Sequence, residues 1–116
     1  MKKYFSRNKY NAKKTEYMGI KFDSKLEANR YGELIAMQKG GLIKDLERQV
    51  RYKLEVNNQL ITTYVADFVY IKINDDGSQE KIVEDAKGVE TPVFKIKKKL
   101  MKAVHEIEII ISQKRY

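Results

Sequence analysis

The sequence predicts an α/β (α+β) domain with its elements in the order α-β-β-β-α-β. Three observations lead there. Residues 47–87 hold three extended segments, divided by the turn signals Asn57-Asn58 and Asn74-Asp75-Asp76-Gly77-Ser78. A capped helical segment precedes them, and a second one, opened by Thr91-Pro92, follows. An isoleucine-rich stretch comes last.

Residues 1–21 show no sustained period and read as a basic N-terminal arm, leaving 22–116 as a single domain. Lys2, Lys3, Arg7, Lys9, Lys13, Lys14 and Lys21 load the arm, opposed there by Glu16 alone. Tyr4, Phe5, Tyr10 and Tyr17 lie among them, a mixture suited to a phosphate backbone with bases to stack on. A merely solubilising N-terminus explains the same composition.

The first helix runs from about Ser24 to Lys39. Ser24-Lys25-Leu26-Glu27 fits a capping box, and Gly40-Gly41 ends the helix. The first strand spans about Glu47 to Val56, with Val50, Tyr52, Leu54 and Val56 on one face. The second spans about Leu60 to Ile73. Strict alternation puts Val65, Asp67, Val69 and Ile71 on one face and Tyr64, Ala66, Phe68 and Tyr70 on the other. The third strand covers about Lys81 to Lys87, and Gly88 breaks it. The second helix reaches about Val104, with Val93, Phe94, Leu100, Met101 and Val104 as its apolar arc. Glu106 to Ser112 reads as a last, largely buried strand.

Composition narrows the chemistry. The chain has 116 residues, no cysteine and one histidine, His105. That excludes disulfides, thiolate zinc sites, a cysteine nucleophile and multi-histidine metal centres. No apolar run approaches the roughly 20 residues of a membrane span, and no apolar signal region follows Met1, so the cytoplasm is the expected compartment. Net charge is +8, and such a surface favours a polyanion, nucleic acid above all.

Two acids stand where hydrophobes are expected. Asp67 shares a face with valines and an isoleucine, and Asp85 shares one with Val83 and Lys87. A buried acid is costly unless it is paired or holds a metal. Two carboxylates converging from neighbouring strands suit Mg²⁺, a hard ion that takes oxygen ligands. Lys87, two residues from Asp85, points the same way and can stabilise charge on a phosphate in transition. Alternation sends Glu84 to the opposite face, so Asp85 is preferred over it, an order that a bulge would reverse. Glu27 either caps its helix or, sharing a face with Tyr31 and Leu34, reaches the sheet. Lys97 sits inside the apolar arc of the second helix, where it either snorkels or enters a polar site. Lys95 and the outward lysines, Lys99 among them, suit phosphate contacts. His105 reads as a helix cap or surface residue. Gln49, near the presumed site by topology, reads as solvated on an edge strand or as a hydrogen-bond partner of a metal-bound water.

These residues in this order resemble the PD-(D/E)XK nuclease superfamily. Asp67 matches its first strand acid, and Asp85-Ala86-Lys87 matches its acid-x-Lys element; Ala66 stands where the superfamily's proline would be. Phe22-Asp23-Ser24-Lys25-Leu26-Glu27 is similar to the first-helix glutamate element of Holliday-junction resolvases and transposon-end nucleases. Lys97 is the nearest match to a further helix lysine. Lys9-Tyr10-Asn11-Ala12-Lys13-Lys14-Thr15, with the segments above, looks closer still to a small phage and prophage family of endonuclease-like proteins.

The resemblance implies a restriction-endonuclease-like core, a mixed central sheet flanked by helices. It implies Glu27, Asp67, Asp85 and Lys87 as catalytic residues. Glu27, Asp67 and Asp85 would hold Mg²⁺, with Mn²⁺ as a substitute, and Lys97, Lys95, Lys99, Lys13 and Lys14 would contact DNA. The function expected is Mg²⁺-dependent endonuclease action on DNA, structure-specific on branched substrates such as Holliday junctions, in phage recombination or DNA processing within a bacterial host. Symmetric junction cleavage would need a homodimer; no membrane partner is expected. The alternatives are a non-catalytic DNA-binding protein and an interaction subunit on the same scaffold.

Overall fold

Capping chemistry sets the helix limits. In the computed structural model, which describes residues 15–112, a short hairpin comes first, β1 (Thr15–Tyr17) and β2 (Ile20–Phe22). Met18 (φ 54°) and Gly19 (φ 77°) form its two-residue turn. Residues 15–21 are thus not the arm expected for them: the hairpin is tied down by Phe22, buried and in ring contact with Tyr31. Residues 1–14 lie outside the described residues.

Helix α1 follows at Lys25–Lys39. Ser24 is its N-cap, and its hydroxyl accepts the Glu27 N–H at 3.1 Å. At the far end Gly41 takes φ 80°, and the Leu42 N–H returns to the Met37 carbonyl. The chain then enters an antiparallel meander of β3 (Ile43–Val56), β4 (Gln59–Ile73) and β5 (Gln79–Ala86). Asn57 and Asn58, both left-handed, make the two-residue β3–β4 turn. Strand β3 starts earlier than alternation predicts because Asp45 (φ 57°) bulges the strand between two registers.

Helix α2 (Pro92–His105) crosses from β5 to β6 (Ile110–Ser112), which lies parallel to β5; the sheet order is β3-β4-β5-β6. Thr91 caps α2 by accepting the Phe94 N–H at 3.1 Å, with Pro92 in the first turn. Glu106 turns left-handed at the C-cap, and the Ile107 N–H bonds back to the Met101 carbonyl. That reversal consumes the start of the predicted last strand, which begins only at Ile110. The architecture is α+β: a mixed four-stranded sheet with two helices, plus the small hairpin.

Each helix covers one face. On the α2 side Leu54, Tyr64, Ala66, Val69, Val83, Phe94, Met101 and Ile109 form one buried cluster. On the α1 side Leu34, Ile43, Phe68 and Tyr70 form the other. Leu34, Leu54, Phe68 and Met101 are fully buried, and each such side chain stabilises the fold by roughly 1.5–3 kcal/mol.

The membership of these clusters corrects the expected alternation. Tyr64 and Ala66 face α2, whereas Phe68 and Tyr70 face α1. On β3 the same exchange occurs: Val50, Tyr52 and Leu54 face α2, while Leu46 packs on the α1 side. Both strands switch faces at one point, between the Val50–Ala66 and Arg48–Phe68 pairs, where Gln49 sits at φ 55° opposite Asp67. A left-handed residue in a strand kinks the ladder and re-aims its neighbours.

Candidate functional site

The switch point is where the acids gather. Strands β4 and β5 stay paired as far as Phe68–Glu84 and then part. Asp67 fills the opening: its Oδ2 accepts the Ala86 N–H at 2.9 Å, as a ladder carbonyl would. Asp85, 2% exposed, lies beside it. Tyr64 donates its hydroxyl to Asp85 Oδ2 at 2.5 Å. Asp85 Oδ1 is buried and accepts no hydrogen bond. Lys87 Nζ stands 3.3 Å from it, close enough for ionic attraction though not aligned for a hydrogen bond.

Glu27 reaches the group from α1 and is likewise buried. Gln49 bridges it to the strands, its Nε2 donating to Glu27 Oε2 at 3.1 Å and lying 3.4 Å from Asp67 Oδ1. Arg48 Nη2 approaches Glu27 at 3.5 Å while its guanidinium lies over the Phe22 ring. Burial raises the Glu27 pKa, opposed by Arg48 and reinforced by the charges of Asp23 and Asp85. Asp67 is pushed up to about 8, by burial first and then by the Asp85 carboxylate beside it. Burial and the Asp85 hydrogen bond also raise the Tyr64 hydroxyl, keeping it a donor.

A cleft of about 200 Å³ opens over Asp85, lined among others by Tyr64, Lys87, Val93, Phe94 and Lys97. Lys97 therefore lines the same cleft as Asp85 and Lys87. Lys87 also lies over the Phe94 ring at 4.9 Å; its own backbone is just past β5, where its N–H bonds the Ser112 carbonyl. Lys98 and Lys102 are held by Glu90 (3.8 Å) and Glu108 (2.6 Å), whereas Lys95, Lys97 and Lys99 form no ion pair among the described residues. Lys95 and Lys99 are exposed on α2 but do not line the cleft; Lys13 and Lys14 lie outside the described residues. Val93, expected in the apolar arc, is 61% exposed at the cleft mouth.

Glu84 goes to the opposite face, as alternation predicts. Arg30 holds it through Nε–Oε2 (2.6 Å) and Nη2–Oε1 (3.1 Å), and Tyr70 donates to Oε1 at 2.5 Å. His105 bonds the Lys53 carbonyl at 2.7 Å and packs near Tyr52, a surface role. Gln49 is exposed on the edge strand β3, as expected, and its amide also joins two acids. Tyr64, Arg48 and Arg30 carried no local signal, because each acts on a residue distant in sequence.

The sequence profile described as "Protein of unknown function (DUF1064)" matches residues 7–114. This chain belongs to the DUF1064 family. No curated protein and no solved structure matches it. Among the described residues of this DUF1064 protein, no helix is long and apolar enough to cross a membrane.

The DUF1064 site offers hard oxygen donors, the class Mg²⁺ and Mn²⁺ take. Among the described residues no three acidic or histidine side chains form a ready-made metal cradle; Arg48 and Gln49 hold Glu27. Asp67 and Asp85 nevertheless fit a cation. One buried oxygen of Asp85 lacks a hydrogen bond, and burial beside Asp85 raises the Asp67 carboxyl, an effect that a bound cation would oppose.

Proposed function

We propose that this DUF1064 protein is a Mg²⁺-dependent endonuclease that hydrolyses phosphodiester bonds in DNA, acting on branched structures rather than on a defined sequence. The observation that carries the reading is Asp85 Oδ1: a buried, hydrogen-bond-free carboxylate oxygen facing Lys87 within a cleft that also holds Lys97. Asp67 and Asp85 would hold the metal, with Glu27 as a third donor once Arg48 releases it. Bound there, the metal would polarise a phosphoryl oxygen and lower the pKa of water.

The chain's own groups have distinct roles. Lys87 neutralises charge growing on the attacked phosphate. Lys97 binds a phosphate oxygen from the cleft wall, and Lys95 and Lys99 hold neighbouring phosphates. Tyr64 fixes the rotamer of Asp85, and Gln49 orients Asp67 against Glu27. The net charge of +8 supports a polyanionic partner; on this reading the protein would meet its DNA in the cytoplasm of a bacterial host. The likeness of Phe22-Asp23-Ser24-Lys25-Leu26-Glu27 to the first-helix glutamate element of junction resolvases favours recognition of structure.

A second reading, DNA binding without catalysis, draws on the pairing of Glu27 with Arg48 and the lack of a three-donor cradle. Incubation of the protein with linear, flapped and four-way DNAs separates the two. Nicking of the branched DNAs in Mg²⁺, abolished by EDTA, is expected. Binding without nicking in either Mg²⁺ or Mn²⁺ would establish the second reading.

A further inference from the structure

Helix α2 presents lysines to solvent almost everywhere except at its start. There Val93 and Ile96 are 61% and 59% exposed, and Val89, in the connection leading to the helix, is 77% exposed. Single exposed hydrophobes need no explanation. Three at one helix start, beside a charged cleft, do. Val93 and Ile96 are three apart and so share a helix face. Val93 also lines the cleft with Asp85, Lys87 and Lys97, so the apolar patch and the acids are continuous. Lys95 and Lys99, both exposed and without acidic partners among the described residues, flank it.

We propose that Val93 and Ile96 form a wedge that receives an unstacked base, so that the protein selects DNA whose stacking is already interrupted: a bulge, a flap or a branch point. The proposal rests on the nuclease reading and names the substrate feature that this site selects. Apolar side chains enter a base step only after it is unstacked, at a cost of a few kcal/mol in an intact duplex. At a discontinuity that cost is already met. The flanking lysines supply the charge complementarity that brings a nucleic acid to the patch, and a base resting on Val93 carries its phosphate toward Lys97 and the carboxylates.

The test is the ratio of affinities for a bulged duplex and the same duplex without the bulge, measured by fluorescence anisotropy without Mg²⁺. Wild type is expected to prefer the bulge by about tenfold, the effect of one modest contact. V93N/I96N, altered only at exposed positions, is expected to bring the ratio close to one while duplex affinity stays the same. K95A/K99A is expected to weaken both affinities alike and leave the ratio unchanged. The wedge is overturned if wild type has no preference, or if V93N/I96N keeps the ratio or lowers both affinities equally. It is also overturned if V93N/I96N converts a dimer to a monomer on size exclusion, which would make the patch an interface between copies. Failure of the wedge with DNA binding intact leaves the nuclease reading standing, whereas absence of DNA binding by wild type ends both.

Discussion

Tyr64 donates a 2.5 Å hydrogen bond to Asp85, and one residue earlier Tyr70 does the same for Glu84 on the other face of β5. Consecutive buried acids are each closed by a tyrosine of β4. The face switch at Asp67 makes this arrangement work, because it lets Tyr64 and Tyr70, of equal parity, serve opposite faces. The two acids differ in their cations. Glu84 is saturated by Arg30, while Asp85 keeps one oxygen without a hydrogen bond. The first is held as a structural ion pair; the second is the carboxylate on which the proposed site rests.

Removing the Tyr64 hydroxyl tests that division. Tyr64→Phe leaves Asp85 buried with neither oxygen hydrogen-bonded. A loss of about 1–3 kcal/mol is expected in urea unfolding at neutral pH without metal. Saturating Mg²⁺ should shrink that loss, because the cation replaces part of what the hydroxyl supplied.

Glu84 should respond differently. Glu84→Ala strands Arg30 in a partly buried position, and breaking such a pair costs about 3–5 kcal/mol. The lower end is expected because the Arg30 side chain is 19% exposed. Mg²⁺ should leave this loss unchanged. A loss that the metal relieves would assign Glu84 to the site.

Stability should depend on pH through Asp67, whose pKa rises from 3.8 unfolded to about 8 folded. Below pH 4 both states hold the proton and there is no penalty. Between pH 4 and 8 the unfolded state ionises while the folded state stays protonated, so stability falls as pH rises. Above pH 8 the penalty is complete. Burial raises the Glu27 carboxyl too, which adds in the same direction. Urea midpoints at pH 5, 7 and 9 in EDTA should decline, and Asp67→Asn should flatten the decline. Mg²⁺ should flatten it as well, by stabilising the ionised pair.

Calorimetric titration of Mn²⁺ measures the site without any substrate. A saturable uptake is expected in wild type and its loss in Asp67→Ala and Asp85→Ala. Glu27→Ala is expected to weaken uptake rather than remove it, because Arg48 and Gln49 already compete for that carboxylate. Equal uptake by all four proteins would place the metal elsewhere.

Local chemistry made much of this fold readable. Ser24, Gly40-Gly41 and Thr91-Pro92 act within a turn of their own position, so both helices were placed from sequence. The side of β5 taken by Asp85 followed from alternation because β5 is regular. Alternation also held on β3 for Val50, Tyr52 and Leu54, which share the α2-side cluster. It failed on β4, opposite Gln49, whose left-handed conformation its residue type does not announce. That one left-handed residue hid the face that Tyr64 takes. Arg30 with Glu84 was out of reach for another reason: the partners are 54 positions apart, and only the packing of α1 on the sheet joins them. The hairpin at residues 15–22 was missed because its strands have three residues each, too short to show a period.

The central claim is that Asp85 belongs to a reacting centre. The most direct measurement is the rate at which wild type and Asp85→Ala nick a four-way DNA in Mg²⁺, with DNA affinity measured on the same preparations. Cleavage by wild type, its loss in Asp85→Ala and an unchanged affinity are the expected result. Equal nicking by the two proteins, or none by wild type that binds the DNA well, would contradict the account.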